Sequence, residues 1–310
     1  MKKKILIPGI SGLLGLNLAL TARGQWAVTG CTHEHPLKSV DPDISSFAFD
    51  LTQPGSGYRI VEMVKPDTVI NCAAVANLDT SEKEPALAQR LNTELPGELA
   101  KACADMGIPM VHISTDAVFD GRKGNYTEED AVNPINAYAR TKLAGEEVVS
   151  AANPGAIIAR VNFYGWSLSG NRSLCEFFYN NLRDEKPLKG TTDLLYNPML
   201  ATDLASVLLE MMQKGLQGIY HVTVNDPLSK YEFGRRLAEE FGLNASLIEP
   251  VSWKELSLRA DRSPNLTLSV DKLLQALGHP LPNVADGLKR LHQQLDQGVA
   301  ATLRSFGSGA

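Results

Sequence analysis

A chain of 310 residues, 44% hydrophobic and 21% charged, is long enough for one large core and a smaller one, with the balance of an ordinary globular protein. Its net charge of −5 gives no general attraction for nucleic acid or an anionic membrane, so neither is expected as a partner. The four cysteines (Cys31, Cys72, Cys103, Cys175) lack CxxC or metal-ligand spacing and read as buried reduced thiols, and the six histidines show no ligand pattern, so no metal site is expected.

Three lysines and a short apolar run open the chain, but Pro8-Gly9 ends that run too early for a secretory signal. No run of about 18 apolar residues occurs anywhere, and a cytoplasmic protein is expected. Residues 4–8 read as a buried strand feeding Gly9-x-x-Gly12-x-x-Gly15 and a helix with Leu13, Leu16 and Leu20 on its apolar side. Glycines that follow a strand and open a helix let the backbone approach a pyrophosphate, whose charge the helix N-terminus favours. Gly9, Ser11, Gly12, Leu13, Leu14 and Gly15 are therefore candidate cofactor contacts, although a turn that only tightens helix–sheet packing would show the same spacing.

Residues 26–31 read as the second strand. An acidic side chain at its end would hold an adenosine ribose and exclude a 2′-phosphate. Thr32-His33-Glu34-His35 stand there instead, and no Arg comes after them. Thr32 and His33 are candidate cofactor contacts, Glu34 could take the ribose, and His33 and Lys38 could meet a phosphate. The balance slightly favours NADP(H) over NAD(H).

A third strand is expected at 47–50, with Asp50 able to cap the next segment. The fourth, at 68–71, ends in Asn71-Cys72-Ala73-Ala74-Val75, where small residues leave room beside a cofactor. A helix over 85–106 carries Asn92, a mid-helix liability unless its side chain is hydrogen-bonded. The strand at 111–114 ends in Ser114-Thr115. After a loop, Asn133-Pro134 should open a helix, as a preferred cap and first-turn residue. Tyr138 and Lys142 lie four apart on one face of it. The ammonium is expected to pull the tyrosine from about 10 toward neutrality, giving a group for acid–base work, with the Thr115 hydroxyl aimed at the same reacting oxygen.

Residues 156–160 read as the sixth strand and 218–222 as another. Helices are expected at 173–183, 200–214, 229–242 with Ser229 as cap, 269–278 closed by Gly278, and 283–303. This alternation argues an α/β fold, a doubly wound parallel sheet (Rossmann-like) with a smaller discontinuous C-terminal substrate domain. The expected division is 1–162 plus about 200–223 for dinucleotide binding and about 163–199 plus 224–295 for substrate, with 296–310 a mobile tail.

The tyrosine–lysine spacing is weak alone, but its order after the strand, Thr115 and the glycine turn resembles the extended short-chain dehydrogenases/reductases. STDAVFDG followed by NPINAYARTKLAGE looks most like the dTDP-4-dehydrorhamnose reductase branch, and the resemblance spans essentially the whole chain. It implies an NAD(P)H-dependent reductase of a keto group on a nucleotide-linked deoxysugar. Thr115 would polarise the oxygen, Tyr138 protonate it, and Lys142 lower the Tyr138 pKa and hold the nicotinamide ribose. Asp50 and Leu51 would meet the adenine, Cys72, Ala73, Ala74 and Val75 would lie against the nucleotide, and Asn92 would support the site from beneath. A sugar nucleotide is the implied substrate, and a homodimer is a possible assembly.

Two segments depart from that branch. Asn162-Phe163-Tyr164-Gly165 replaces its Trp-Val-Tyr-Gly, and Leu194-Leu195-Tyr196-Asn197-Pro198 replaces its Gly-Ser-Pro-Thr wording. Related 4,6-dehydratases carry Thr-Asp-Glu where this chain has Thr115-Asp116-Ala117, and alanine cannot serve as their base. The alternative is a non-catalytic dinucleotide-binding subunit resembling the regulatory subunit of methionine adenosyltransferase.

Overall fold

In the computed structural model, which describes residues 2–33, 36–38, 41–256 and 261–307, the first apolar run forms β1 (Lys3–Pro8) with its last four residues enclosed. The glycine turn leads to α1 (Leu13–Ala22), β2 (Trp26–Thr32), β3 (Ile44–Ala48), α2 (Ser56–Val64) and β4 (Thr68–Asn71). Helices α3 (Leu78–Lys83) and α4 (Pro85–Gln89) precede a π turn (Arg90–Glu94), which runs into α5 (Leu95–Met106) and β5 (Met110–Thr115). Next come α6 (Ala137–Ala152), β6 (Ile157–Val161), β7 (Phe163–Tyr164), α7 (Leu174–Arg183), β8 (Leu188–Thr191), β9 (Leu195–Tyr196) and β10 (Met199–Leu200). The chain continues through α8 (Ala201–Gln213), β11 (Gly218–Val222), β12 (Leu228–Ser229), α9 (Lys230–Glu240) and β13 (Ile248–Val251). It ends in α10 (Asp271–Leu277), α11 (Val284–Asp296) and α12 (Val299–Ser305).

Seven strands form one parallel sheet in the order β3-β2-β1-β4-β5-β6-β11. Strands β4 and β6 are buried at every position, as a parallel sheet covered on both faces requires. The order reverses between β1 and β4, and open α/β sheets hold ligands beyond the carboxyl ends of their strands at such a reversal. Gly9 leaves the end of β1 and Cys72 the end of β4, so both motifs meet at that crevice. Gly9 has φ +78°, and a Cβ there would come within 2.8 Å of the Ala73 backbone, so only glycine fits. Strand β11 returns to pair with β6, and the amide of Asn17 on α1 donates to the Trp166 carbonyl at 2.9 Å. The remaining elements include three short strand pairs, β7 with β10, β9 with β12 and β8 with β13, packed with α7 and α9 around buried Trp166, Phe178 and Phe233.

Several boundaries differ from the sequence reading. The third strand, expected at 47–50, starts at Ile44 because Val28 already donates to the Asp43 carbonyl, and it ends before Asp50 turns the chain by accepting the Thr52 N–H. Asn133-Pro134 does not open α6. Asn133 is held by the loop, through Val118 and Asp120, and Asn136 is the cap, accepting from the Ala139 N–H at 2.9 Å. The expected helix over 85–106 is interrupted by the π turn around Asn92. Helix α10 starts two residues late, with Ser269 accepting from the Asp271 N–H. The last helix divides at Gly298, which has φ +74°. Beyond it the expected tail forms α12, burying Ala300, Leu303 and Phe306, and the Phe306 carbonyl accepts from the Lys38 N–H at 2.9 Å.

Candidate active site

Helix α6 is locked against the sheet by an enclosed ion pair. The Arg160 guanidinium on β6 donates to both oxygens of Glu146 on α6, at 2.7 to 3.2 Å, and the Ser114 hydroxyl on β5 donates to the same carboxylate at 2.5 Å. Gly145 lies so close to the π turn that a Cβ would clash with the Asn92 carbonyl. The Asn92 side chain, fully buried, accepts from the Val75 N–H at 2.9 Å and donates to the Val75 carbonyl and to Thr141 on α6. It thus joins the loop after β4 to the helix that bears Tyr138 and Lys142. Asn71 continues this scaffold, accepting from the Ala73 N–H and meeting Nδ1 of His112 at 3.2 Å.

One cleft, of about 410 Å³, is lined by Thr115, Asp116, Tyr138, Asn162, Lys230 and Arg262, among others. Thr115 donates to Asp116 at 3.0 Å, and Asn162 donates to the other Asp116 oxygen at 2.6 Å. Burial nevertheless pushes the Asp116 carboxyl up to about 6. The Tyr138 pKa is not drawn toward neutrality. Burial pushes it up to about 12, the Thr115 hydroxyl opposing and the Asp116 charge adding to the rise. The reason lies in Lys142, which is 2% exposed and gives its ammonium to the Ile113 carbonyl at 2.6 Å, with Nε2 of His112 at 3.5 Å. Burial brings Lys142 down to about 8, with Glu146 and Cys72 working against the fall. No hydrogen bond joins Lys142 to Tyr138 among the described residues, and His112, enclosed beside that ammonium, is held well below the usual imidazole range.

Lys230 and Arg262 escaped the sequence reading. Each stands alone in the sequence, with no spacing to mark it, and only the path of the chain after β11 brings them beside Tyr138. Burial lowers the Lys230 pKa, as does the charge of Arg262. Nη1 of Arg262 is buried without a hydrogen-bond partner, while its Nη2 lies 3.9 Å from Asp79.

The second cleft, about 310 Å³, lies at the strand reversal. Gly9, Ser11, Gly12, Thr32 and His33 line one part of it, and Leu51, Cys72, Ala73 and Ala74 another. Leu13, Leu14, Gly15, Val75 and Asn92 are not on its wall. Gly15 sits beneath Gly9, where a Cβ would strike the Gly9 carbonyl, and Leu14 is buried in the core. Asp50 also stands off, its carboxylate taken by Thr52 and Gln53 and held down to about 2, with His33 at 3.7 Å. Glu34 and His35 lie outside the described residues. The wall fits a dinucleotide. The α1 N-terminus is capped by Gly12 with no side-chain bond, leaving N–H groups for an anion, and a Cβ at Gly12 would meet only the Gly9 carbonyl at 3.1 Å.

The chain is 33% identical over 291 residues to the probable low-salt glycan biosynthesis reductase Agl14 of Haloferax volcanii, covering 92% of this chain and 96% of that one. It is 32% identical to the dTDP-4-dehydrorhamnose reductase of Mycobacterium tuberculosis (86% and 85% covered) and 28% identical to the methionine adenosyltransferase 2 subunit beta of Rattus norvegicus (87% and 81%). Among solved structures, a dTDP-4-dehydrorhamnose reductase from Bacillus anthracis in complex with NADP superposes with a TM-score of 0.81 at 26% identity, over 95% of this chain and 100% of that one. The RmlD substrate binding domain matches residues 2–297, and the chain belongs to that family.

Proposed function

We propose that the protein reduces a keto group on a nucleotide-linked deoxysugar at the expense of NAD(P)H. The observation that carries this reading is a pair of clefts whose walls are neighbours along the chain, Ala74 and Arg172 on one and Ala76 and Leu174 on the other. A glycine-walled cleft at the strand reversal is built for a dinucleotide, and a neighbouring one joins Tyr138 and Thr115 to the cations Lys230 and Arg262. Bound in the first, a reduced nicotinamide supplies a hydride. In the second, the two cations suit the diphosphate of a sugar nucleotide, with the sugar turned toward Tyr138.

Tyr138 is the proton donor in this reading. A phenol near 12 keeps its proton at neutral pH and yields it only to a stronger base, such as the alkoxide that hydride addition to a ketone creates. Thr115 has a single hydroxyl proton, shared between Asp116 and the substrate oxygen, so Asp116 governs how freely Thr115 can polarise that oxygen. Lys142 orders the site from behind and presents positive charge toward the dinucleotide cleft, where Cys72 lies within its field. Ala117 leaves no base for dehydration.

The substrate offered by family likeness is dTDP-4-dehydrorhamnose, and the lean toward NADP(H) rests on the missing acid after β2. The test supplies dTDP-4-keto-6-deoxyglucose, a 3,5-epimerase and NADPH or NADH. Stoichiometric loss of the reduced dinucleotide supports the reading. Conversion of dTDP-glucose with no net cofactor change would replace it by a dehydratase, and a partner-dependent protein inert in both assays would be a binding subunit.

A further inference from the structure

The loop after β2 carries no arginine, yet one arginine does line the dinucleotide cleft, from an unrelated part of the chain. Arg172 lies 140 residues beyond Thr32, in the loop that precedes α7, and still forms part of the same wall as Gly9, Ser11, Gly12 and His33. The loop is rigidly held. Glu176, fully buried, accepts from the Ser167 N–H at 2.7 Å and hydroxyl at 2.7 Å, the Arg172 N–H at 2.9 Å and the Ser173 N–H at 3.1 Å. Asn180 on α7 donates to the Gly170 carbonyl at 2.8 Å, and Ser173 closes a capping box with Glu176. The one acid beside Arg172 is therefore spent on backbone and hydroxyl groups, and its guanidinium makes no ion pair among the described residues. The imidazole on the wall, His33, lies 3.7 Å from the Asp50 carboxylate.

We propose that Arg172 is the clasp for the cofactor's phosphates, a cation delivered across the crevice by the substrate-side loop onto the anion bound at the α1 N-terminus. A guanidinium on a preorganised loop forms charge-assisted, forked bonds to phosphate oxygens without first ordering its own backbone. This rests on the dinucleotide reading above. It extends it by making cofactor affinity depend on a residue outside the glycine turn and the β2 loop, so that bound dinucleotide ties the two groups of elements together.

The test measures dissociation constants for NADPH and NADH by calorimetry, at low and high salt, on wild type, Arg172→Gln and Arg172→Lys. Circular dichroism and the ligand-free melting temperature check folding, which substitution of this exposed side chain should leave unchanged. Arg172→Gln should bind about 10- to 100-fold more weakly, with a flatter salt dependence, and Arg172→Lys should recover part of the loss. Equal weakening for both dinucleotides assigns Arg172 to the pyrophosphate, and weakening for NADPH alone assigns it to the 2′-phosphate. Wild-type binding with unchanged affinity in Arg172→Gln overturns the inference alone, whereas wild type that binds neither dinucleotide removes the reading beneath it as well.

Discussion

The proposed roles of Tyr138 as proton donor and of Asp116 as the group that governs Thr115 are tested residue by residue. Tyr138→Phe should keep dinucleotide affinity within a few-fold while lowering turnover by about 10² to 10⁴, the worth of a positioned proton donor. Retained turnover would remove the phenol from the reaction. Asp116 makes a prediction about pH. Its folded pKa, about 6, lies above its unfolded value near 3.8, so the unfolded chain ionises first as pH rises. Stability is unaffected below pH 4, falls between about 4 and 6, and is lower by about 3 kcal/mol at pH 7. Asp116→Asn has no proton to lose, so denaturation from pH 4 to 7 should show the variant gaining on wild type across that window; a constant difference would contradict the burial argument. The order of Thr115, Tyr138 and Lys142 was legible along the chain, and the first two line one cleft. Their electrostatics were not legible, because the direction of the tyrosine shift depends on where the Lys142 ammonium points, and that is set by the Ile113 carbonyl on another element.

At the scale of elements, the decisive contact is between α6 and the sheet. Removing one member of an enclosed ion pair leaves the other charge stranded, so Glu146→Ala should cost about 3 to 5 kcal/mol in chemical denaturation. A loss below about 1 kcal/mol would show that α6 is held otherwise. The elements read best from the sequence are those whose ends are chemically marked. Ser229 caps α9 as expected, α7 follows Ser173 close to its expected start, and β4 and β11 occupy 68–71 and 218–222 as read. Those that shifted depend on distant partners. Asn133 and Asn136 are equivalent as caps on paper, and only the bonds of Asn133 to Val118 and Asp120 decide between them. The π turn had no signal beyond Asn92, whose amide is satisfied by Val75 and Thr141, both on other elements.

For the whole molecule, the proposed function rests on two clefts, a glycine-walled one at the strand reversal and one at the ends of β5 and β6. Gly12→Val should place a branched side chain on the cofactor wall and block dinucleotide binding with the fold kept, because a Cβ there meets little else. A variant that still gains thermal stability from NADPH would dismiss the glycine cradle. The parallel sheet and the glycine turn came from local pattern, whereas the strand order and the placing of Lys230, Arg262 and Arg172 emerge only when segments far apart in sequence converge. The central claim is hydride transfer to the carbonyl carbon of a sugar nucleotide. Its most direct test is a reaction of dTDP-4-keto-6-deoxyglucose, epimerase and NADPH deuterated at the transferable position, with the product sugar nucleotide weighed by mass spectrometry. The account predicts a reduced sugar carrying a single deuterium on the former carbonyl carbon, formed in step with oxidised cofactor, whereas a sugar nucleotide recovered unreduced and unlabelled beside intact cofactor would contradict it.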